Sequence, residues 1–447
     1  MKQLSPAFTI VSAVCPPANL QESTYKFSQY AIKLPCEQGE LLYHSMTGEL
    51  MLLLEGECAE QNRETLIQHR FLVPEHMDEY AYASQLKKLV TLMQPKRSGI
   101  KNFLILTTMD CNARCFYCYE MGRKRTAMNE QTAHDAAAYI ARVHGDETVK
   151  LRWFGGEPLF NRRAIEIITE DLRKQDIAYV SAMTSNAYLF DEQTVLQAKE
   201  DWNLKNVQIT LDGTEEVYNR SKAYIYREGN PYQRVLHNIK LLTEAGITVS
   251  IRLNMDGENW EDLMRLSEEL ASRFPDRKNL NVYTALLFSY SQSHAFSSEE
   301  EKIACFFKLQ QMLKEKGLTK PRFIRNSFRS NYCMADSDEC ITILPDGHLG
   351  KCEHETEKEF VGNVQEGVLD TTTLRAWKEA TVDASCQSCV LYPQCRELKR
   401  CPKNAQGCSE TLRAIKLRNL HERILNTYKN GEAEQIDDGD VEIFREV

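Results

Sequence analysis

Hydrophobic and polar positions alternate regularly through the middle of the chain. Between residues 101 and 316, short apolar runs are each followed by a longer stretch whose apolar residues have helical spacing, which is the pattern of successive strand–helix units. Six such units predict an α/β fold with a parallel sheet, the partial (β/α)6 TIM barrel. The predicted strands are 103–107, 149–153, 179–183, 207–211, 248–254 and 281–288, and the predicted helices are 129–144, 163–174, 192–200, 232–245, 260–273 and 299–316.

The first 95 residues follow a different pattern. It predicts a strand over 25–34, a hairpin over 41–54 with its turn at Thr47-Gly48, and helices over 62–69 and 78–93. Two or three strands with three helices are typical of a small winged helix-turn-helix domain, and a structural cap on the main domain is the alternative. The last of these helices has only two lysines beside two acidic residues, so we do not expect it to bind phosphates.

Length and charge narrow the class of protein. A chain of 447 residues is long enough for two or three domains, which we place at 1–95, 96–320 and 321–430, followed by an acidic tail over 431–447. The net charge of −9 argues against a nucleic-acid partner. The sequence has neither a membrane-length apolar segment nor an N-terminal secretion signal, so we expect a cytoplasmic protein with no membrane partner.

The placement of the fifteen cysteines indicates metal rather than disulfides. Three form Cys111-x3-Cys115-x2-Cys118 directly after the first barrel strand, and eight more lie between Cys333 and Cys408. Three thiolates in one loop are able to hold a [4Fe–4S] cluster and leave its fourth iron open for a substrate or cofactor. On spacing alone, a chance set or an incomplete zinc loop is the alternative.

A second motif, Trp153-Phe-Gly-Gly-Glu-Pro158, follows the next predicted strand. Together the two motifs resemble those of the radical S-adenosylmethionine (radical SAM) superfamily. The resemblance implies that Cys111, Cys115 and Cys118 carry the cluster that binds SAM. It also implies that Gly155, Gly156, Glu157 and Pro158 hold the amino group of SAM. Both motifs follow the carboxyl ends of strands, which places them on one rim of the barrel.

The same resemblance suggests further SAM contacts. Tyr117 matches the position that packs on the adenine. Ser185, Asn186 and Thr210 match polar residues at strand ends that contact the ribose and the carboxylate. Lys222 stands where a related group places an arginine, and Arg252 is another candidate. For any one of these polar residues, a role in forming a turn is the alternative.

The C-terminal cysteines resemble the SPASM extension, which holds two auxiliary clusters. By that resemblance the first cluster takes Cys333, Cys340, Cys352 and Cys401, and the second takes Cys386, Cys389, Cys395 and Cys408. Five residues separate Cys395 from Cys401, where a spacing of three is common. An open coordination site on the first auxiliary cluster is therefore an alternative. Two zinc sites would also use eight cysteines. In all we expect three [4Fe–4S] clusters and SAM as cofactors.

The N-terminal segments LLYHSMTGEL and RFLVPEHMDEY resemble leader-peptide recognition domains. We therefore expect a radical SAM oxidoreductase that matures a ribosomally made peptide (a RiPP). Its 5′-deoxyadenosyl radical would install a thioether, C–C or C–O crosslink. The expected partners are a precursor peptide with its leader and an electron donor such as ferredoxin or flavodoxin. Glu353, beside Cys352, is the candidate catalytic base. An anaerobic sulfatase-maturating (formylglycine-generating) enzyme and a small-molecule dehydrogenase are the alternative enzymes, and a ferredoxin-like carrier is the alternative that is not an enzyme.

Overall fold

The computed structural model describes residues 1–14, 24–93, 98–287, 294–328, 331–354, 359–402 and 407–431. Its N-terminal unit contains a four-stranded antiparallel sheet in the order β1-β5-β4-β3 and a separate pair, β2 with β6. The strands are β1 (Lys2–Ser5), β2 (Tyr25–Phe27), β3 (Ala31–Cys36), β4 (Gly39–His44), β5 (Leu50–Leu54) and β6 (Leu72–Pro74). The helices of the unit are α1 (Thr9–Val14), α2 (Arg63–Gln68) and α3 (Glu79–Met93).

This unit has more strands than the sequence predicted. The single strand predicted over 25–34 is wrong, because a turn at 28–30 divides it into β2 and β3, which belong to different sheets. The predicted hairpin is confirmed as β4 and β5, with Gly48 in the left-handed region at φ 75°. The assignment as a winged helix-turn-helix stays a prediction.

The centre of the molecule is a mostly parallel sheet. Its strands β7 to β12 pair in sequential order, all parallel, as predicted. They are β7 (Asn102–Thr108), β8 (Val149–Gly155), β9 (Tyr179–Ser185), β10 (Leu204–Leu211), β11 (Thr248–Met255) and β12 (Leu280–Leu286). The last strand was predicted to reach residue 288, which lies outside the described residues.

The predicted crossover helices are confirmed within one or two residues. They are α4 (Glu130–Val143), α5 (Arg162–Lys174), α6 (Glu192–Glu200), α8 (Pro231–Glu244), α9 (Trp260–Arg273) and α10 (Glu299–Glu315). The side chain of Asn129 caps α4 by accepting a hydrogen bond from the backbone N–H of Thr132. An additional short helix, α7 (Glu215–Lys222), was not predicted.

The C-terminal block joins the central sheet instead of forming a separate layer. Its strand β13 (Cys340–Ile343) pairs in parallel with β7, with Cys340 opposite Asn102. The short antiparallel strands β14 (His348–Gly350), β15 (Gly362–Asn363) and β16 (Gly367–Val368) continue the sheet outward. A six-residue helix, α11 (Thr371–Ala376), follows them. The division into domains therefore stays a prediction.

The long helix α12 (Glu410–Asn430) connects the N-terminal unit to strands β7–β12 and their helices, which are called the barrel below. On one side, the Asn419 carboxamide oxygen accepts a hydrogen bond from Gln310 of α10. On the other side, Ile424 is fully buried in a cluster with Ile32 and Tyr43 of the N-terminal sheet. The acidic tail predicted after this helix lies outside the described residues apart from Gly431. None of the described helices is both long enough and apolar enough to cross a membrane.

Candidate active site

The cysteine loop follows β7, as its sequence position predicted. Burial raises the pKa of Cys111 to about 12 and that of Cys118 to about 11, and it also raises the pKa of Cys115. The negative charges of Cys115 and Cys118 add to the rise at Cys111, and the charge of Cys115 adds to that at Cys118. The three thiols therefore lie close to one another. Soft sulfur donors that share one small site suit an iron–sulfur cluster, in which each thiolate ligates one iron.

Two glycines let the end of β8 lie directly against this loop. The backbone N–H of Gly156 donates to the Thr108 carbonyl oxygen at 2.9 Å, and that of Glu157 donates to Asp110 at 3.0 Å. A Cβ on Gly155 would lie 2.1 Å from the Thr108 oxygen, and one on Gly156 would lie 2.2 Å from the Asp110 oxygen. Any side chain at either position would push the loop away, so the glycines position the cysteines.

Glu157 is fully buried behind the loop and joins two strand ends. Its carboxylate accepts hydrogen bonds from the Ser185 hydroxyl at 2.8 Å and from the backbone N–H of Asn186 at 2.8 Å. Burial raises the pKa of Glu157 to about 7, against the opposing effect of these hydrogen bonds. The neighbouring Pro158 is also buried and begins a 3₁₀ turn. The carboxylate of Glu157 thus fixes the end of β9 to the end of β8.

Asn186 connects the end of β9 to the cysteine loop. Its side-chain N–H group donates to the Asn112 carboxamide oxygen at 2.7 Å and lies 3.7 Å from the Cys111 sulfur. This nitrogen is therefore in position to stabilise a thiolate at Cys111 and to orient the loop.

Tyr117 belongs to a buried polar network. Its hydroxyl donates to Asp212 Oδ2 at 2.6 Å and accepts from Lys222 Nζ at 2.6 Å. The Lys222 ammonium also donates to the Thr210 hydroxyl at 2.5 Å and forms an ion pair with Asp212 at 2.9 Å. Asn254 donates to the other Asp212 oxygen at 3.0 Å. Burial lowers the pKa of Lys222, but the charges around it, Asp212 first, outweigh burial and leave that pKa well above its ordinary value.

Of this network, Tyr117, Thr210 and Lys222 were predicted as site residues, whereas Asp212 and Asn254 were not. Asp212 follows β10 in the run Thr210-Leu-Asp-Gly213, two residues after Thr210, so its position was a usable signal. Asn254 lies on β11, and nothing in its local sequence distinguishes it.

One cavity of about 1000 Å³ brings most of the predicted site residues together. Glu157 and Pro158 are not among the residues that line it, because they lie behind the loop. The lining includes the three loop cysteines together with Tyr117, Gly155, Gly156, Ser185, Asn186, Thr210, Lys222 and Arg252. The N-terminal unit contributes Tyr43 and Ser45 to the same wall.

The cysteines predicted for the second auxiliary cluster lie near one another. Burial raises the pKa of Cys386 and of Cys408, and the negative charges of Cys389 and Cys395 add to both rises. Lys416 Nζ lies 4.0 Å from the Cys395 sulfur. These four thiols therefore share one region at the edge of the cavity.

The cysteines predicted for the first auxiliary cluster are distributed differently. Cys333, Cys352 and Cys401 line the cavity, whereas Cys340 is buried at the start of β13. Within the described ranges, no three His, Cys, Asp or Glu side chains converge closely enough to hold a single metal ion. The assignment of ligands to the three clusters stays a prediction.

Glu353 lies where the two cysteine regions meet. Its Oε2 atom is 3.6 Å from the Cys352 sulfur, and its backbone oxygen accepts a hydrogen bond from Arg123. The Tyr119 ring, directly after the third loop cysteine, lies 4.0 Å from the ring of His354. Glu120, which the sequence reasoning did not select, also lines the cavity, and burial raises its pKa to about 7. Two carboxyl groups therefore face the space between the cysteine regions.

Residues 105–270 match the family model of the radical SAM superfamily. The chain thus contains a radical SAM domain, which implies SAM and a [4Fe–4S] cluster as cofactors. An uncharacterized protein of Methanocaldococcus jannaschii, MJ0907, is 33% identical over 121 residues, which are 26% of this chain and 40% of that protein. A probable GTP 3′,8-cyclase of Methanococcus maripaludis is 28% identical over 150 residues, 33% of this chain and 47% of that protein. The chain thus spans less than half the length of these relatives.

Two solved structures share the fold at 14% identity. Native anSMEcpe with bound AdoMet and the Cp18Cys peptide aligns with a TM-score of 0.57, over 74% of this chain and 99% of that protein. Streptococcus suis SuiB bound to the precursor peptide SuiA aligns with a TM-score of 0.51, over 83% of this chain and 95% of that protein.

Proposed function

We propose that this protein is a radical SAM maturase that installs an oxidative crosslink in a ribosomally made precursor peptide. The observation that carries the proposal is the shared cavity of about 1000 Å³. It is bordered by the cysteine loop of Cys111, Cys115 and Cys118, by cysteines of the C-terminal block and by the N-terminal unit. This arrangement suits a substrate peptide that is held by the N-terminal unit while a distant part of it is oxidised between the cysteine loop and the C-terminal block.

In this proposal Cys111, Cys115 and Cys118 hold the cluster that binds SAM, and the eight C-terminal cysteines hold two auxiliary clusters. When bound, these groups supply a 5′-deoxyadenosyl radical for hydrogen abstraction and an acceptor for the remaining electron. Arg252 and Asn186 line the cavity, and in this proposal they contact SAM. Glu157 lies behind that surface and fixes the end of β9 to the end of β8, whereas Lys222 lines the cavity and holds Tyr117 together with Asp212.

Closing a crosslink removes two hydrogen atoms from the peptide. One leaves as an atom, and the other leaves as a proton and an electron. Glu353 is the candidate to take the proton, because its carboxylate lies beside Cys352 on the cavity wall. Glu120 is the second carboxyl group within the same region.

The bound peptides of anSMEcpe and SuiB support a peptide substrate here. The alignment with SuiB, which is bound to a precursor peptide, spans 83% of this chain, against 74% for anSMEcpe. In the described part of the N-terminal unit, β3 pairs with β4 on one side only. A leader strand could therefore add to its other edge. A sulfatase-type maturase or a small-molecule dehydrogenase has no need of this unit.

The test uses protein that is reconstituted without oxygen. We expect about twelve irons per chain, four for each of three clusters, and formation of 5′-deoxyadenosine from SAM under dithionite. With the cognate precursor peptide we expect a mass change of −2 for each crosslink. Zinc in place of iron, or no SAM cleavage, would contradict the enzyme assignment.

A cysteine variant assigns the first cluster. Replacing Cys111, Cys115 and Cys118 together by Ala should abolish SAM cleavage and leave about eight irons. The matched control replaces Cys36, Cys58 and Cys305, which lie outside every predicted ligand set, and should keep about twelve. Continued deoxyadenosine formation in the loop variant would show that the assignment is wrong.

A further inference from the structure

The cavity is cationic although the protein as a whole is acidic. Among the described residues that line it, ten are Lys or Arg and five are Glu. The whole chain has a net charge of −9. Four of the ten, Lys222, Lys302, Arg396 and Lys416, form ion pairs with carboxylates, and cations still outnumber acidic groups along the wall. A cleft with such an excess attracts anions.

Several of these cations lie beside cysteines. Burial raises the pKa values of Cys115, Cys118 and Cys340. The positive charge of Lys222 opposes the rise at Cys115 and Cys118, and the charges of Lys351 and Arg152 oppose the rise at Cys340. Lys416 lies near the Cys395 sulfur. Under the proposed function, the thiolates of the clusters would supply the negative charge that this first group faces, in addition to the ion pairs of Lys222 with Asp212 and of Lys416 with Glu397.

A second group lies elsewhere on the wall. Arg322, Arg325 and Arg423, here called the arginine wall, line the cavity where the segment 321–328, α12 and the N-terminal sheet meet. Burial raises the pKa of Tyr43, and the positive charges of Arg325 and Arg423 oppose that rise. Both guanidinium groups therefore lie near Tyr43 of the N-terminal sheet.

The backbone that carries the arginine wall is held firmly. The Arg322 carbonyl oxygen accepts a hydrogen bond from the Asn426 side chain at 2.9 Å. The backbone N–H of Ile324 donates to the Thr427 hydroxyl at 3.0 Å. The side chains of Ile324 and Ile424 are buried against Tyr43. The planar guanidinium group of arginine matches carboxylates well, and its rigid fork loses less side-chain entropy per hydrogen bond than a lysine ammonium does.

We infer that the arginine wall binds an acidic stretch of the peptide substrate, which carries Asp or Glu side chains, as the peptide passes from the N-terminal unit into the cavity. This inference rests on the proposed function. A nucleoside triphosphate is the competing anionic ligand, as the relatives named GTP 3′,8-cyclase suggest. The peptide is favoured because Tyr43 and Ser45 of the N-terminal unit form part of the same wall.

Fluorescence anisotropy on the reconstituted holoenzyme tests the inference, with fluorescein-labelled octaglutamate and octalysine as probes. We expect octaglutamate to bind, octalysine not to bind, and the affinity for octaglutamate to fall as salt is raised. Replacing Arg322, Arg325 and Arg423 together by Gln should weaken octaglutamate binding about tenfold or more. The corresponding Arg-to-Lys triple variant keeps the charge but not the planar groups, so it should bind octaglutamate more tightly than the Gln variant and less tightly than the parent.

The matched control removes the same charge elsewhere. Arg163, Arg173 and Arg265 have side chains that are 57%, 52% and 67% exposed, and replacing them by Gln should leave binding within about twofold. Equal losses in the two Gln triple variants would overturn the inference, because the effect would then be one of net charge. An Arg-to-Lys variant that binds no more tightly than the Gln variant would also overturn it, because positive charge at the wall would then contribute nothing.

Two further outcomes separate this inference from the proposed function. A parent enzyme that forms 5′-deoxyadenosine but does not bind octaglutamate would overturn the inference and leave the function standing. An enzyme that binds octaglutamate but contains no iron would contradict the function instead. Unlabelled GTP that binds at the arginine wall more tightly than octaglutamate, with the loss again confined to the wall variant, would replace the peptide by a nucleotide.

Discussion

At the scale of single residues, the site depends on close approach between the end of β8 and the cysteine loop. Gly155 has a φ of 122°, and both glycines lie against carbonyl oxygens of the loop. A carbonyl oxygen belongs to the backbone and cannot rotate away as a side chain would. The GGEP motif therefore acts partly through the side chains that its two glycines lack, since any side chain there would displace the loop that carries the thiols.

Replacing Gly156 by Ala should displace the cysteine loop. The new Cβ would lie 2.2 Å from the Asp110 oxygen, so the backbone must shift. We expect at least a tenfold loss of SAM cleavage and fewer than twelve irons per chain after reconstitution.

Gly246→Ala is the control for this change. Gly246 has a φ of 85°, but a Cβ there would meet no other atom within 4 Å. That variant should lose only about 1 kcal/mol of unfolding free energy, because alanine is disfavoured in the left-handed region, and it should keep its iron. A Gly156→Ala protein with normal iron and normal SAM cleavage would contradict the role given to this contact.

The residues that could be predicted are those with a local signature. The spacing in the sequence is enough to recognise the GGEP motif and the three cysteines Cys111, Cys115 and Cys118. All three cysteines line the cavity with Gly155 and Gly156. The network of Tyr117, Asp212 and Lys222 could not be predicted, because its members lie on the cysteine loop, at the end of β10 and on α7. Only the folded chain brings these three residues within hydrogen-bond distance.

At the scale of elements, the same distinction separates the barrel from the N-terminal unit. Strands β7 to β12 pair with their sequence neighbours, so their apolar runs sufficed to predict both the elements and their order. Strand β1 instead pairs with β5, which is about fifty residues away. Helix α7 was missed because it is short and polar and its buried residues, Tyr218, Ser221 and Lys222, include only one large apolar side chain.

Helix α3 of the N-terminal unit holds the loop that carries Cys386, Cys389 and Cys395, which are predicted ligands of the second auxiliary cluster. The Lys87 ammonium donates to the carbonyl oxygens of Tyr392 at 2.9 Å and Cys395 at 2.5 Å, and it also lies over the Tyr392 ring. The Tyr80 ring packs on the same tyrosine at 4.7 Å. The loop over 386–395 is thus fixed by a helix from the other end of the chain.

Replacing Lys87 by Met should loosen the loop 386–395. Hydrogen bonds from a charged donor contribute about 1.5–3 kcal/mol, so amide hydrogen exchange in this loop should speed up about tenfold or more. Mass spectrometry of peptides from the exchanged protein measures this directly. Lys88→Met, at the exposed neighbouring position, should leave the loop unchanged. Equal exchange in the two variants would show that Lys87 does not hold the loop.

At the scale of the whole molecule, the N-terminal unit shares its core with the C-terminal helix. Ile32, Leu41 and Tyr43 of the N-terminal sheet pack with Ile324 and with Ile424 of α12. The same helix buries Ile415 in the main barrel core. One helix therefore links the unit proposed to bind the leader to the barrel proposed to carry the chemistry.

Two substitutions on α12 should separate these two connections. Ile424→Ala leaves a cavity under the N-terminal sheet, and truncations of this kind cost about 2–5 kcal/mol. Amide exchange over 31–44 should therefore rise while α10 stays protected. Ile415→Ala should do the reverse, because Ile415 is 2% exposed and packs with the barrel core that includes Phe306 and Phe307 of α10. If both variants loosened both regions equally, α12 would belong to one undivided core, and the N-terminal unit could not respond to a leader independently of the barrel.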